Sequence, residues 1–376
     1  TTLCRVDKQA VFLYRWKLTT ITQPKEKTMN KKFFITAAFL ALVVFLGSTA
    51  SLAETFRWKM ASSWPKGTIL QDCADDFAAM VSDMSGGRLQ IKSYAAGELM
   101  GALEVTEGVR MGTIDVSHCS PSYQVGNLPA GPLFGYIPFG MKAVPYLTWF
   151  YQDEGMELYR ELYEPFDPGY AAPCGILPME DLAWSNKPIK TIEDFKGLKF
   201  RTSGYWGEIL NNAGASVVML PAGEIYEALQ RQVIDAGEFS IPSMDKDLAF
   251  FEITKFLLLP GVHQPSTILD ITINKRSWST LPDDLKAIVK TAAKAMTLET
   301  LTLCIKRDAQ ALEFFQGKGV NFEYLAPEVQ KELKAKTNEL MQAKAEKDPF
   351  LAKVWESQKQ FRTLYSRYEA LTEIQD

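Results

Sequence analysis

Hydrophobic and polar positions change period several times along the chain. Phe56-Arg57-Trp58-Lys59-Met60-Ala61 alternates apolar with polar residues, the signature of a half-buried strand, and Trp64-Pro65-Lys66-Gly67 breaks it. Residues 69–84 switch to helical spacing and stop at Gly86-Gly87. A strand over 88–94, a helix over 103–111 with Gly112 in the C-cap position, and a strand over 114–119 follow. Strands that alternate with helices predict an α/β fold with parallel pairing.

A similar unit recurs later: 224–231 is helical, Val233-Ile234-Asp235 opens a strand, and the pair ends at Glu238-Phe239. Two lobes of similar build explain the repetition. The second copy has Gln232 where the first has Gly112, and a left-handed backbone there costs a non-glycine residue roughly 1 kcal/mol. Between the copies, 131–138 reads as a turn-rich crossing, 149–164 as helix up to Pro165 and Pro168, and 171–179 as a strand. The tail differs: 283–316 and 327–369 are long helical stretches, the second interrupted only by Pro349, where a kink is expected. Its stripe of Val329, Leu333, Leu340, Val354, Phe361, Leu364 and Tyr368 must be covered, by the body of the chain or by a partner subunit.

Composition bounds the size: 376 residues, 47% hydrophobic and 23% charged, suit one large or two medium α/β domains. The N-terminal region reads separately. Met29-Asn30-Lys31-Lys32 and the apolar run 33–46 form the charged and hydrophobic regions of a secretory signal, and Ser51-Leu52-Ala53 offers small residues for cleavage before Glu54. The run is shorter than the ~20 residues of a spanning helix. Residues 29–53 are therefore expected to be a signal peptide, and 1–28 a leader upstream of the true start. No Cys follows the apolar run where a lipoprotein is modified, so a soluble periplasmic product is expected. Removing this basic segment makes a chain of net charge −4 still more acidic, which argues against a nucleic-acid partner. Cys73, Cys119, Cys174 and Cys304 are too widely spaced for a metal knuckle, and their pairing stays open.

The segment with the most chemistry ends Lys199-Phe200-Arg201-Thr202-Ser203-Gly204, a strand that delivers Arg201 to a glycine-containing turn. There the planar guanidinium can meet a carboxylate with two parallel hydrogen bonds, reinforced by backbone donors. Taken by itself, an arginine is more often in a surface salt bridge. Downstream come Gly214-Ala215-Ser216-Val217-Val218, Glu224-Ile225-Tyr226-Glu227-Ala228-Leu229-Gln230, Ile234-Asp235-Ala236-Gly237-Glu238 and Leu259-Pro260-Gly261. Together with Gly97-Glu98-Leu99, Pro138-Phe139-Gly140-Met141 and Ile273-Asn274-Lys275, this series resembles the substrate-binding subunit of tripartite ATP-independent periplasmic (TRAP) transporters.

The resemblance implies a two-lobed periplasmic binding protein fold with a hinge, a solute held between the lobes, delivery to TRAP membrane permease subunits, and no catalysis. It places lobe I at 54–177 and 266–325, lobe II at 178–265, and a long C-terminal helix at 326–376. Around Trp184 and Pro260 the chain looks closest to the branch that binds 2-oxo acids or lactate with a metal cation, in which the long helix is exchanged in a homodimer. Arg201 matches the family arginine that pairs with the carboxylate. The ligand positions of that branch fall on Glu180, Glu238, the Phe239 carbonyl and Gln264, with Glu for the usual Gln at 180 and Gln for an acid at 264. Such oxygen ligands suit Na⁺ or Ca²⁺ rather than zinc, and the two histidines, His118 and His263, are far apart in sequence. Trp64, Tyr123, Trp184, Tyr205, Trp206 and Phe239 are candidates to wall the pocket, core packing being the alternative for several. His118-Cys119-Ser120 reads as polar pocket lining, and Ser122, where many relatives have a second Tyr, as extra room. Competing readings are a sensor subunit that docks on a receptor, hinge carboxylates that merely satisfy local donors, and a hydrolase that uses Glu180 and Glu238.

Overall fold

The computed structural model describes residues 54–372, so the expected leader and signal peptide lie outside the described residues. In chain order the strands are β1 (Phe56–Ser62), β2 (Leu89–Tyr94), β3 (Val116–Cys119), β4 (Tyr170–Leu177), β5 (Ala183–Ser185) and β6 (Lys199–Arg201). They continue with β7 (Ser216–Val218), β8 (Ala236–Gly237), β9 (Phe256–Leu259), β10 (Thr267–Ile273) and β11 (Asn321–Tyr324). One sheet has the order β2-β1-β3-β10-β4 and the other β11-β9-β5-β8-β6-β7.

Parallel pairing holds where strands follow one another within a sheet: β1 with β2 and β3, and β6 with β7 and β8. It fails at β10 and β5. β10 runs antiparallel to β3 and β4, and β5 antiparallel to β8 and β9. Both strands start just after the chain has crossed from the other sheet. They run away from the crossing, whereas their neighbours run towards it. The carboxyl ends of β1, β3, β4, β6, β8 and β9 therefore converge on the two crossing segments, 178–182 and 260–266, where open α/β sheets place their ligands. A third crossing, at 318–320, leads into β11, which pairs with β9 in the second sheet rather than joining the first, where the 266–325 boundary put it.

Local sequence accounts for the helices. Thr68 caps Ile69–Met84 by accepting from the Gln71 N–H, and Leu70, Cys73, Phe77 and Val81 turn one face into the core. Gly112 (φ 71°) and Gln232 (φ 57°) both adopt the left-handed cap conformation expected of the repeated unit. The turn-rich crossing contains a short helix, Gly131–Gly135. The helix expected over 149–164 is two, Ala143–Gln152 and Gly155–Tyr163, broken where Gly155 packs against the Phe150 backbone.

The C-terminal region is likewise two helices, Pro327–Ala345 and Pro349–Thr372, rather than one kinked helix. Pro349 has no N–H to give and starts the second helix, while the Asp348 carboxylate accepts from the N–H groups of Phe350 (2.9 Å) and Leu351 (3.0 Å). Val329, Leu333, Val354 and Phe361 are buried against the body, whereas Leu364 (64% exposed) and Tyr368 (60%) are not.

Behind the first sheet, Asp270 of β10 is fully buried and accepts from the Tyr159 and Tyr163 hydroxyls, the latter at 2.6 Å. Burial pushes its carboxyl up to about 6 despite these donors. A raised acid favours the folded state at low pH, and that contribution is lost as pH rises from about 4 through about 6. The stability of wild type relative to Asp270→Asn should thus fall by up to about 3 kcal/mol between pH 4 and pH 7, measured by denaturant unfolding at each pH.

Candidate functional site

The two crossings pass back to back. The Glu180 N–H donates to the Gln264 carbonyl (3.1 Å), and a Cβ at Gly261 would lie 2.0 Å from the Glu180 carbonyl oxygen, so only glycine fits there. This contact sets Glu180 beside His263 and Gln264. Into the same place β6 ends on Arg201 and β8 leads to Glu238 and Phe239, their register fixed by the pairing of Arg201 with Gly237.

All the polar members are buried: Glu180 3%, Arg201 1%, Glu238 0%, His263 0% and Gln264 3% exposed. Arg201 donates through Nε (3.0 Å) and Nη2 (2.8 Å) to the Leu220 carbonyl, and through Nη1 to the Glu238 carbonyl (2.5 Å) and Oε1 (3.3 Å). One Nη2 hydrogen is left without a partner among the described residues. Glu180 accepts from the Thr267 hydroxyl (3.0 Å), and the Gln264 amide, with its nitrogen turned towards the carboxylate, would donate to both Glu180 oxygens (2.6 and 3.0 Å). His263 Nε2 stands 3.7 Å from Glu180 Oε2 and 3.8 Å from Glu238 Oε2.

The charges are unevenly held. Burial, and then the nearby Glu238, raise the Glu180 carboxyl well above the usual range. Burial also works to raise Glu238, but the Arg201 guanidinium and then His263 outweigh it and hold that carboxyl below the usual range. Glu180, Glu238 and His263 each offer a ligand atom within 4.8 Å of the others, and Glu238 Oε2 and both His263 nitrogens have no hydrogen-bond partner. Buried polar atoms without partners are rare. Their convergence fits a cation, which would hold Glu180 ionised and supply a Lewis-acidic point for a ligand oxygen.

Against this cluster lies a small cavity of about 20 Å³, walled by Trp64, Tyr123, Tyr136, Glu180, Phe239 and Gln264 among others. This is room for about one water, so any organic ligand would need its walls to part. Trp64 Nε1 donates to His118 Nδ1 (2.7 Å), and burial lowers that imidazole to about 4, which keeps it a neutral acceptor. Tyr136 shares a hydrogen bond with Ser203 (2.8 Å) across the two sheets. Arg201 and Glu238 are not in the wall but directly behind it, the guanidinium 5.3 Å from the centre of the Phe239 ring.

Of the other aromatic candidates, Trp184 donates to Asp245 (2.8 Å) and packs on Phe315, Tyr205 donates to the Pro129 carbonyl (2.5 Å), and Trp206 lies over His263. These are core residues. Ser122 faces Gly135, not the cavity. Tyr136 and His263 escaped the sequence reading as site residues. His263 sits three residues after the singled-out Pro260 and next to Gln264, but its distance from His118 in sequence hid its closeness to two carboxylates in space.

Residues 60–348 match the family of bacterial extracellular solute-binding proteins, family 7. The chain belongs to this family. A monocarboxylate 2-oxoacid-binding periplasmic protein of Nostoc sp. is 32% identical over 320 residues, covering 85% of this chain and 87% of the relative. Two TRAP periplasmic solute-binding proteins, from Pseudoalteromonas atlantica with bound sodium and pyruvate and from Colwellia psychrerythraea with bound calcium and pyruvate, superpose with a TM-score of 0.82 at 30% identity. The alignment covers 85% of this chain in both cases, and 97% and 98% of those chains. Family 7 proteins are periplasmic solute-binding components of transport systems, and the two-lobed α/β fold expected from the sequence is the fold found.

Gly261→Ala should force the crossings apart, costing about 1–3 kcal/mol as overpacking does, and weaken solute binding with it. Thermal unfolding and calorimetric titration of the same variant would register both losses.

Proposed function

We propose that the chain captures a small monocarboxylate, a 2-oxo acid such as pyruvate or else lactate, between its two sheets together with Na⁺ or Ca²⁺, for delivery to a TRAP membrane permease. The convergence of Arg201, Glu180, Glu238 and His263 at and directly behind the wall of a small cavity is the observation that carries this reading. Glu180, Glu238, the Phe239 carbonyl and Gln264 are the cation's candidate ligands, and His263 joins them. Arg201 takes the acid's carboxylate by giving up part of its hold on Glu238 and Leu220, while Trp64, Tyr123 and Phe239 enclose the carbon skeleton.

Charge supports the combination. Glu180, Glu238 and the acid bring three negative charges, Arg201 one positive. Calcium neutralises the remainder and sodium leaves one negative charge. Binding draws the two lobes together, and the closed form is what the permease recognises. The boundaries follow the sheets, 54–177 and 266–320 against 178–265 with β11. Export by the 29–53 signal and a homodimer through the C-terminal helices complete the proposal, the latter motivated by the exposed Leu364 and Tyr368. Catalysis is not part of it: Glu180 and Glu238 converge on one imidazole instead of flanking a scissile bond.

Arg201→Ala should weaken pyruvate binding by about 2–5 kcal/mol, because it leaves buried carboxylates unpaired, and Arg201→Lys should restore only part of it. Titration calorimetry reads both, and undiminished affinity in the alanine variant removes Arg201 from the site. Dialysis against a chelator in sodium-free buffer should lower pyruvate affinity, with recovery on adding Ca²⁺ or Na⁺. Unchanged affinity without any cation would show that the cluster holds none.

A further inference from the structure

Two buried cysteines meet between helices of the first sheet's outer layer. Cys73 lies on the inward face of the helix Ile69–Met84 and Cys304 on the helix Asp283–Gly317, enclosed in one hydrophobic core at 1% and 0% exposure. These helices pack directly on each other. Their register is pinned at the rim, where Arg307, one turn beyond Cys304, reaches Asp72, next to Cys73, at 3.8 Å. The two thiols lie close enough to shift one another's acidity, Cys304 acting to lower Cys73 and Cys73 to raise Cys304. Of the other cysteines, Cys119 belongs to a different cluster and contacts Ser63 Oγ (3.1 Å), while Cys174 shares the core without a hydrogen bond to either partner.

We propose that Cys73 and Cys304 form a disulfide in the exported protein. The four cysteines of the described residues are unbridged thiols in this structure. In an oxidising extracellular compartment the pair reacts with a disulfide R–S–S–R, carried by an oxidising dithiol protein or a small disulfide. One cysteine thiolate attacks it to give a mixed disulfide and R–SH. The second cysteine then displaces the other R–SH, so one S–S bond breaks, one forms, and both cysteine protons end on the leaving thiols. Because folded burial would shield both sulfurs, the exchange takes place as the chain folds after export. The bond fastens the helix that follows β1 to the long helix that leads into β11, closing a long loop and restricting the unfolded chain. The proposal rests on the extracellular setting of the family, not on the acid or cation assigned above.

The test uses wild-type protein exported to the periplasm, denatured and alkylated with one reagent, then reduced, alkylated with a second, and digested. Cys73 and Cys304 should carry the second label, and the linked peptide should vanish on reduction. The melting temperature should drop by several degrees in reductant. Cys304→Ser should abolish that sensitivity and Cys174→Ser should keep it. First-reagent label on both Cys73 and Cys304, or a peptide linking Cys73 to Cys174, overturns the proposal, and the wild-type labelling decides it even if a variant fails to fold.

Discussion

The contact between Gly261 and the Glu180 carbonyl is the constraint on which the rest depends. It lets two extended crossings run against each other with no side chain between them, and it fixes where Glu180, His263 and Gln264 stand. Every strand that ends at the crossings then delivers its last residues to the same place. Arg201 and Glu238 arrive by this route from β6 and β8. The site is a product of strand direction before it is a product of side-chain chemistry.

Burying two carboxylates, a guanidinium and an imidazole together is costly unless each is paired, and the pairing is incomplete. Arg201 pairs with one oxygen of Glu238 and holds that carboxyl ionised, while the other oxygen has no hydrogen-bond partner. Glu180 has Thr267 and Gln264 for neighbours, both uncharged, and its carboxyl is raised. The exchange of Glu and Gln between positions 180 and 264 that the resemblance implies has a geometric counterpart. The two side chains touch, so a carboxylate and an amide trade places within one contacting pair.

Much of this was legible in advance because it depends on local pattern. The repeated helix-to-strand unit, the left-handed Gln232, the strand ending on Arg201 and the glycine at 261 are all carried by a few neighbouring residues. What escaped depends on direction and distance. No periodicity tells β10 or β5 to run antiparallel, since that follows from the chain having just changed sheets. The same holds for β11, whose four residues look alike in either sheet. Pro349 was visible, but whether it bends a helix or begins one turned on Asp348, a cap that only geometry identifies. His263 and Tyr136 joined the site through folds of the chain that their own neighbours do not encode.

The third crossing, from the long helix into β11, has a mechanical consequence. Two strands joined at two points can still twist about the line between them or shear past each other, as a sheet of paper held at two corners can. A third tether, anchored through a helix as stiff as Asp283–Gly317, opposes both and leaves bending as the softest motion. The molecule is built like a book with a stitched spine: its pages can open, but they cannot slide.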